Sequence, residues 1–108
     1  MSSKGNGVAI VTGASSGIGL ACSEAFLEAG FEVIGLARDF SKTDLAHPNF
    51  RKECLDLSRS DEIQRELPPL LKSLTRPLRI LVSNAGIGKM GYLEQLSAAD
   101  VEKVLATN

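Results

Sequence analysis

Short apolar runs alternate along this chain with segments in which apolar residues recur every three or four positions. Val8-Ala9-Ile10-Val11 is uninterrupted and rich in β-branched side chains, the pattern of a parallel strand buried on both faces. Over residues 17–29, Ile18, Ala21, Cys22, Ala25, Phe26 and Ala29 recur at helical spacing and predict one apolar helix face, with Gly30 as the stop. Residues 31–36, 50–55 and 78–82 read as three further strands. Between the last two, Ser58-Arg59-Ser60-Asp61 resembles a capping box, and Ile63, Leu67, Leu70, Leu71 and Leu74 follow at helical spacing. Pro68 and Pro69 lack an N–H and are expected to kink or split that helix. Ser97-Ala98-Ala99-Asp100 repeats the capping pattern, and Val101, Val104 and Leu105 continue it as a stripe.

The order is therefore βαββαβα. Alternating strands and helices predict an α/β fold, a doubly wound parallel sheet with helices on both faces. About four strands are expected, winding outward from the first in the order 3-2-1-4. The 108 residues form part of one domain, because a complete doubly wound sheet covered on both faces needs more chain.

Charge narrows the partners. Twelve Lys and Arg against thirteen Asp and Glu leave a formal net charge of −1, which gives no field to attract nucleic acid or an anionic membrane. No stretch approaches the roughly 18 uninterrupted apolar residues of a membrane span. The first residues lack the apolar core of a secretory signal, so the sequence reads as cytoplasmic. Cys22 and Cys54 have neither Cys-x-x-Cys spacing nor neighbouring histidines, and read as buried free thiols. The lone histidine, His47, precedes Pro48 in a loop with no second ligand in register, and no metal site is expected.

The chemistry lies between the first strand and the first helix, in Thr12-Gly13-Ala14-Ser15-Ser16-Gly17-Ile18-Gly19. Gly13 suits the positive φ of a sharp turn, Gly17 leaves room for a pyrophosphate, and Gly19 lets the helix approach the sheet. The helix then offers unpaired N–H groups and its positive end to an anion, while the Ser15 and Ser16 hydroxyls add uncharged hydrogen bonds. A glycine triplet alone is weak evidence; its position after a buried strand and before an amphipathic helix makes it a dinucleotide site.

The spacing G-x-x-x-G-x-G resembles the T-G-x-x-x-G-[IL]-G signature of the short-chain dehydrogenases/reductases of classical type, whose fold is Rossmann-type. The resemblance continues through Cys54-Leu55-Asp56-Leu57-Ser58 and Asn84-Ala85-Gly86, so it spans essentially the whole chain. It implies that Asp56 accepts a hydrogen bond from the adenine amino group and that the Leu57 N–H addresses the ring. The alternative for Asp56 is a cap on the next helix. Asn84, Ala85 and Gly86 would run beside the cofactor ribose, with Ser83 where the family more often has a first asparagine.

Cofactor choice is made after the second strand, where an acidic residue would bind a ribose 2′-OH. Here the chain reads Leu36-Ala37-Arg38-Asp39. Arg38 stands where NADP-preferring relatives carry a basic residue, and NADP(H) is expected over NAD(H). Asp39 beside it could partly neutralise it, Lys42 is a candidate second phosphate contact, and the competing reading of Arg38 is a solvated loop residue.

By resemblance, the activity is hydride transfer between nicotinamide and the carbonyl or alcohol carbon of a small molecule, by a protein that is a homo-oligomer when complete. Its acid–base tyrosine belongs to a Tyr-x-x-x-Lys pair, because an ordinary tyrosine near pKa 10 is a poor base without a nearby cation. Tyr92 is the only tyrosine, and Leu96 rather than lysine follows four residues on. Asn108 falls where the family places a proton-relay asparagine, in a chain that is expected to be inactive alone. A non-catalytic module that binds NADP(H) or another adenine nucleotide would present the same residues.

Overall fold

All five residues of the first strand, Val8–Thr12 (β1), are buried, and this strand lies at the centre of the sheet. The computed structural model describes residues 7–15, 17–41, 43–56, 58–83 and 89–92. After β1 come α1 (Gly17–Glu28), β2 (Glu32–Ala37), β3 (Phe50–Cys54), α2 (Ser60–Lys72), β4 (Leu78–Ser83) and β5 (Lys89–Tyr92). The order across the sheet is β3-β2-β1-β4-β5. The first four strands are parallel in the expected order 3-2-1-4, and β5 runs antiparallel along the outer edge of β4.

The period of two along each strand sorts its side chains onto two faces. Val8, Ile10, Ile34, Leu36 and Leu81 pack with Ile63, Leu67 and Leu70 of α2. Ala9, Val11, Val33, Ile80 and Val82 pack with Leu27 and Phe26 of α1. Each large aliphatic side chain buried in this way contributes on the order of 1.5–3 kcal/mol. The pairing of β1 with β4 slips after Val8↔Leu78, so that Ala9 faces Ile80 and Arg79 is the extra residue. The slip sends Leu78 to the α2 face and Ile80 to the α1 face.

Several expectations are corrected. Helix α1 does not bury the face that its spacing indicates: Ala21, Ala25 and Ala29 are exposed, Ile18 is 71% exposed, and Gly19, Ser23 and Leu27 form the buried stripe. Small residues at 19 and 23 let the helix start lie close to the sheet, and the Ser23 hydroxyl is satisfied by donating to the Gly19 carbonyl at 2.9 Å. The helix stops as expected at Gly30. The Gly30 N–H donates to Leu27 and the Phe31 N–H to Phe26, closing a Schellman turn under the edge-on Phe26 and Phe31 rings.

Helix α2 passes through Pro68 and Pro69 without splitting. The carbonyls that lose their partners belong to Gln64 and Arg65, both exposed, so water can replace the missing bonds, while Leu67 and Leu70 hold the helix to the core. Its N-cap is Arg59, with no side-chain cap bond, rather than the expected Ser58. Ser58 is instead drawn to Asp56. The cysteines are free but not buried: Cys22 is half-buried and Cys54 is exposed, because β3 is the sheet's edge strand. Strand β5 covers the outer edge of β4. The helix expected from Ser97 onward lies outside the described residues. Among the described residues, no helix is long and apolar enough to cross a membrane.

Candidate dinucleotide-binding site

Strands β1, β2 and β3 all end at the same side of the sheet, and the candidate residues leave from these three ends. Ligands of open parallel sheets lie in the crevice beyond the carboxyl ends of the strands. After β1 the chain turns at Gly13, with φ 63°. The buried Thr12 hydroxyl donates to the Val82 carbonyl at 3.3 Å, tying the end of β1 to β4. The Ala14 N–H donates to the Leu36 carbonyl at 3.3 Å, tying the loop to β2.

That loop sits over Gly35. A β-carbon there would lie 2.9 Å from the Ala14 methyl and 2.9 Å from the Phe50 ring, so the strand must lack a side chain for the loop to seat. Gly35 was missed in the sequence, although an isolated glycine inside a strand pattern is a known mark of close approach.

Gly17 opens α1 with φ 58°, and a β-carbon on it would meet nothing within 4 Å. Ser15 is half-buried beside it, and Ile18 is exposed. The first turn of α1 carries no acidic residue, so nothing from the helix's own start neutralises its positive end. Open space and free positive dipole coincide at one point.

Arg38 and Asp56 are neighbours across the edge of the sheet. The Leu55 N–H donates to the Ala37 carbonyl at 2.9 Å, carrying the β2–β3 ladder one step past the end of β3. The Asp56 carboxyl is held below the usual carboxylate range. The Ser58 hydroxyl does most of this, at 2.6 Å from Oδ1, with the Ser58 N–H at 3.0 Å next; partial burial opposes it, and the charges of Arg38 and Arg59 add smaller pulls. Asp56 therefore closes a turn on Ser58 and does not cap α2, while its own N–H donates to Glu62 Oε1 at 3.0 Å. Asp39 is engaged by Ser41, whose N–H donates to Oδ1 at 2.8 Å and whose hydroxyl donates to Oδ2 at 3.0 Å.

Ser16, Lys42, Leu57, Asn84, Ala85, Gly86 and Asn108 lie outside the described residues. Tyr92 falls in β5, opposite Ile80. The exposed His47 accepts the Asn49 N–H at Nδ1, a bond internal to its loop. Among the described residues, no group of three or more His, Cys, Asp or Glu could hold a metal ion.

A parallel sheet in the order 3-2-1-4, covered on both faces and with a glycine loop beyond its central strand, defines the Rossmann-type class. The chain belongs to the short chain dehydrogenase family, whose model matches residues 7–108. It is 38% identical over 98 residues to the 2,3-dihydro-2,3-dihydroxybenzoate dehydrogenase of Escherichia coli, covering 91% of this chain and 38% of that protein. A short-chain dehydrogenase from Streptomyces avermitilis superposes with a TM-score of 0.66 at 37% identity, over 74% of this chain and 31% of the other. A 4-hydroxyisoleucine dehydrogenase solved in complex with NADH superposes with a TM-score of 0.55 at 34% identity, over 68% and 32% of the two chains. The chain thus spans about two-fifths or less of the relatives it matches.

Proposed function

We propose that this chain is the cofactor-binding part of an NADP(H)-dependent oxidoreductase acting on the carbonyl or alcohol carbon of a small molecule. The observation that carries the reading is the convergence, beyond three adjacent parallel strands, of the open Gly17, an α1 start without an acid of its own, and Arg38 beside Asp56. A dinucleotide needs these in order: room and positive potential for its pyrophosphate, a cation for a 2′-phosphate, and an acceptor for adenine.

On this reading, the amides after Gly13 and the Ser15 and Ser16 hydroxyls bind the pyrophosphate, and Gly17, Ile18 and Gly19 form its wall. Ala37 ends β2 where an acid would prefer a free 2′-OH, and the exposed Arg38 follows it, which favours NADP(H) over NAD(H). Asp56 accepts from the adenine amino group as a carboxylate, and the two Ser58 bonds to Oδ1 orient it. Leu57 addresses the ring through its N–H, and Asn84, Ala85 and Gly86 flank the ribose.

The bound nicotinamide supplies the hydride acceptor or donor. The acid–base step needs a tyrosine beside a cation, and Tyr92 has Leu96 at the fourth position, so these 108 residues are assigned binding rather than proton transfer. Asn108 is assigned to that relay.

Titration with NADPH and NADH tests the proposal. NADPH is expected to bind more tightly, and Arg38→Ala to weaken NADPH by about tenfold or more while leaving NADH unchanged, as for the loss of a charge-assisted bond. Tighter binding of NADH, or no binding of either, overturns it.

A further inference from the structure

We infer that Ser41 tunes the cofactor preference of this site by holding the Asp39 carboxylate away from the phosphate that Arg38 would receive; the inference rests on the NADP(H) reading above. Asp39 directly follows Arg38, and a carboxylate beside a bound phosphate repels it by about 1 kcal/mol at 4 Å even in water. An acid in that place works against the cation next to it unless something directs it elsewhere.

Ser41 does so with two bonds to one carboxylate. Its N–H reaches Oδ1 at 2.8 Å and its hydroxyl reaches Oδ2 at 3.0 Å, which turns both oxygens onto residues 39–41. The turn that presents Ser41 is anchored on both sides. Phe40 packs edge-on against Phe50 of β3 with ring centroids 6.4 Å apart, and the buried Thr43 donates its N–H to the Phe40 carbonyl at 3.2 Å. The Arg38 guanidinium forms no hydrogen bond or ion pair among the described residues. Asp39 is engaged by its own turn, and the Arg38 guanidinium, which Asp56 reaches only through charge, keeps its N–H donors for a ligand. Ser41 is thus a positioning residue, acting on the nucleotide through Asp39.

The test is a set of dissociation constants for NADPH and NADH, measured on the full chain and on Arg38→Ala, Ser41→Ala, Ser41→Thr and Ser41→Ala/Asp39→Asn. Ser41→Ala is expected to weaken NADPH about fivefold and leave NADH unchanged, since 1 kcal/mol is about a fivefold change. Ser41→Thr keeps the hydroxyl and the wild-type ratio, and the double variant, with no charge to release, restores it. If Ser41→Ala weakens both nucleotides equally, or neither, the inference is overturned. Loss of NADPH affinity in Arg38→Ala without any effect of Ser41→Ala removes Ser41 alone; no effect of Arg38→Ala removes the NADP(H) reading and Ser41 with it.

Discussion

The Ala14 methyl lies 2.9 Å from the point where a β-carbon on Gly35 would stand, so strand β2 receives the loop after β1 only because one side chain is missing. The contact joins a central strand to the candidate phosphate-binding turn.

Gly35→Ala is therefore expected to destabilise the protein by about 1–3 kcal/mol, the usual cost of overpacking, and to weaken dinucleotide binding by displacing the loop. Adding Ala14→Gly should recover part of both losses, because the Phe50 ring, also 2.9 Å away, still has to tilt. Denaturant unfolding together with NADPH titration reads the two effects. Wild-type stability in Gly35→Ala would show that the contact carries no strain.

The Ser58 hydroxyl and N–H hold the Asp56 carboxyl below its ordinary value of 3.8. A depressed folded-state pKa means that the stabilisation is fully present above the unfolded value and is lost as pH falls through the lower folded one. Carboxyl chemical shifts followed by NMR should give a midpoint below 3.8 in the wild type. Ser58→Ala should raise it more than Arg38→Ala does, because the Ser58 hydroxyl bond that it removes outweighs the charge of Arg38. The reverse order would assign the shift to Arg38.

Thr12 joins the end of β1 to β4 from a fully buried position. Thr12→Val keeps the shape and removes the donor to the Val82 carbonyl. A loss of about 1 kcal/mol is expected, seen as a lower denaturant midpoint with an unchanged slope.

Pro68 lies inside α2 without an N–H to give to Gln64. Pro68→Ala restores that donor and should stabilise the protein by up to about 1 kcal/mol, less whatever unfolded-state restriction the proline supplied. A fall in melting temperature would show that the restriction is the larger effect.

Much of the framework is legible before any coordinates. The runs around Val8, Val33, Phe50 and Leu81 become strands within a residue of their expected limits, and Gly13 adopts the positive φ that its turn requires. Helix α1 shows where that reading stops. Its small apolar residues lie nearly all round, so Ile18, Ala21 and Ala25 look as buriable as Gly19 and Ser23, and only contact with the sheet selects the stripe. Strand β5 has no apolar run to announce it, and its pairing depends on the edge that β4 presents.

The sequence by itself determined the order of the elements, the parallel core and the glycine turn after β1, because strand periodicity and glycine's backbone freedom act over a few neighbouring residues. The tertiary structure alone decided that Gly35 lies under Ala14, that Arg38 stands beside Asp56, and that Ser58 serves Asp56 rather than α2. Those relations depend on which strands become neighbours and in what register, and packing between distant segments settles both.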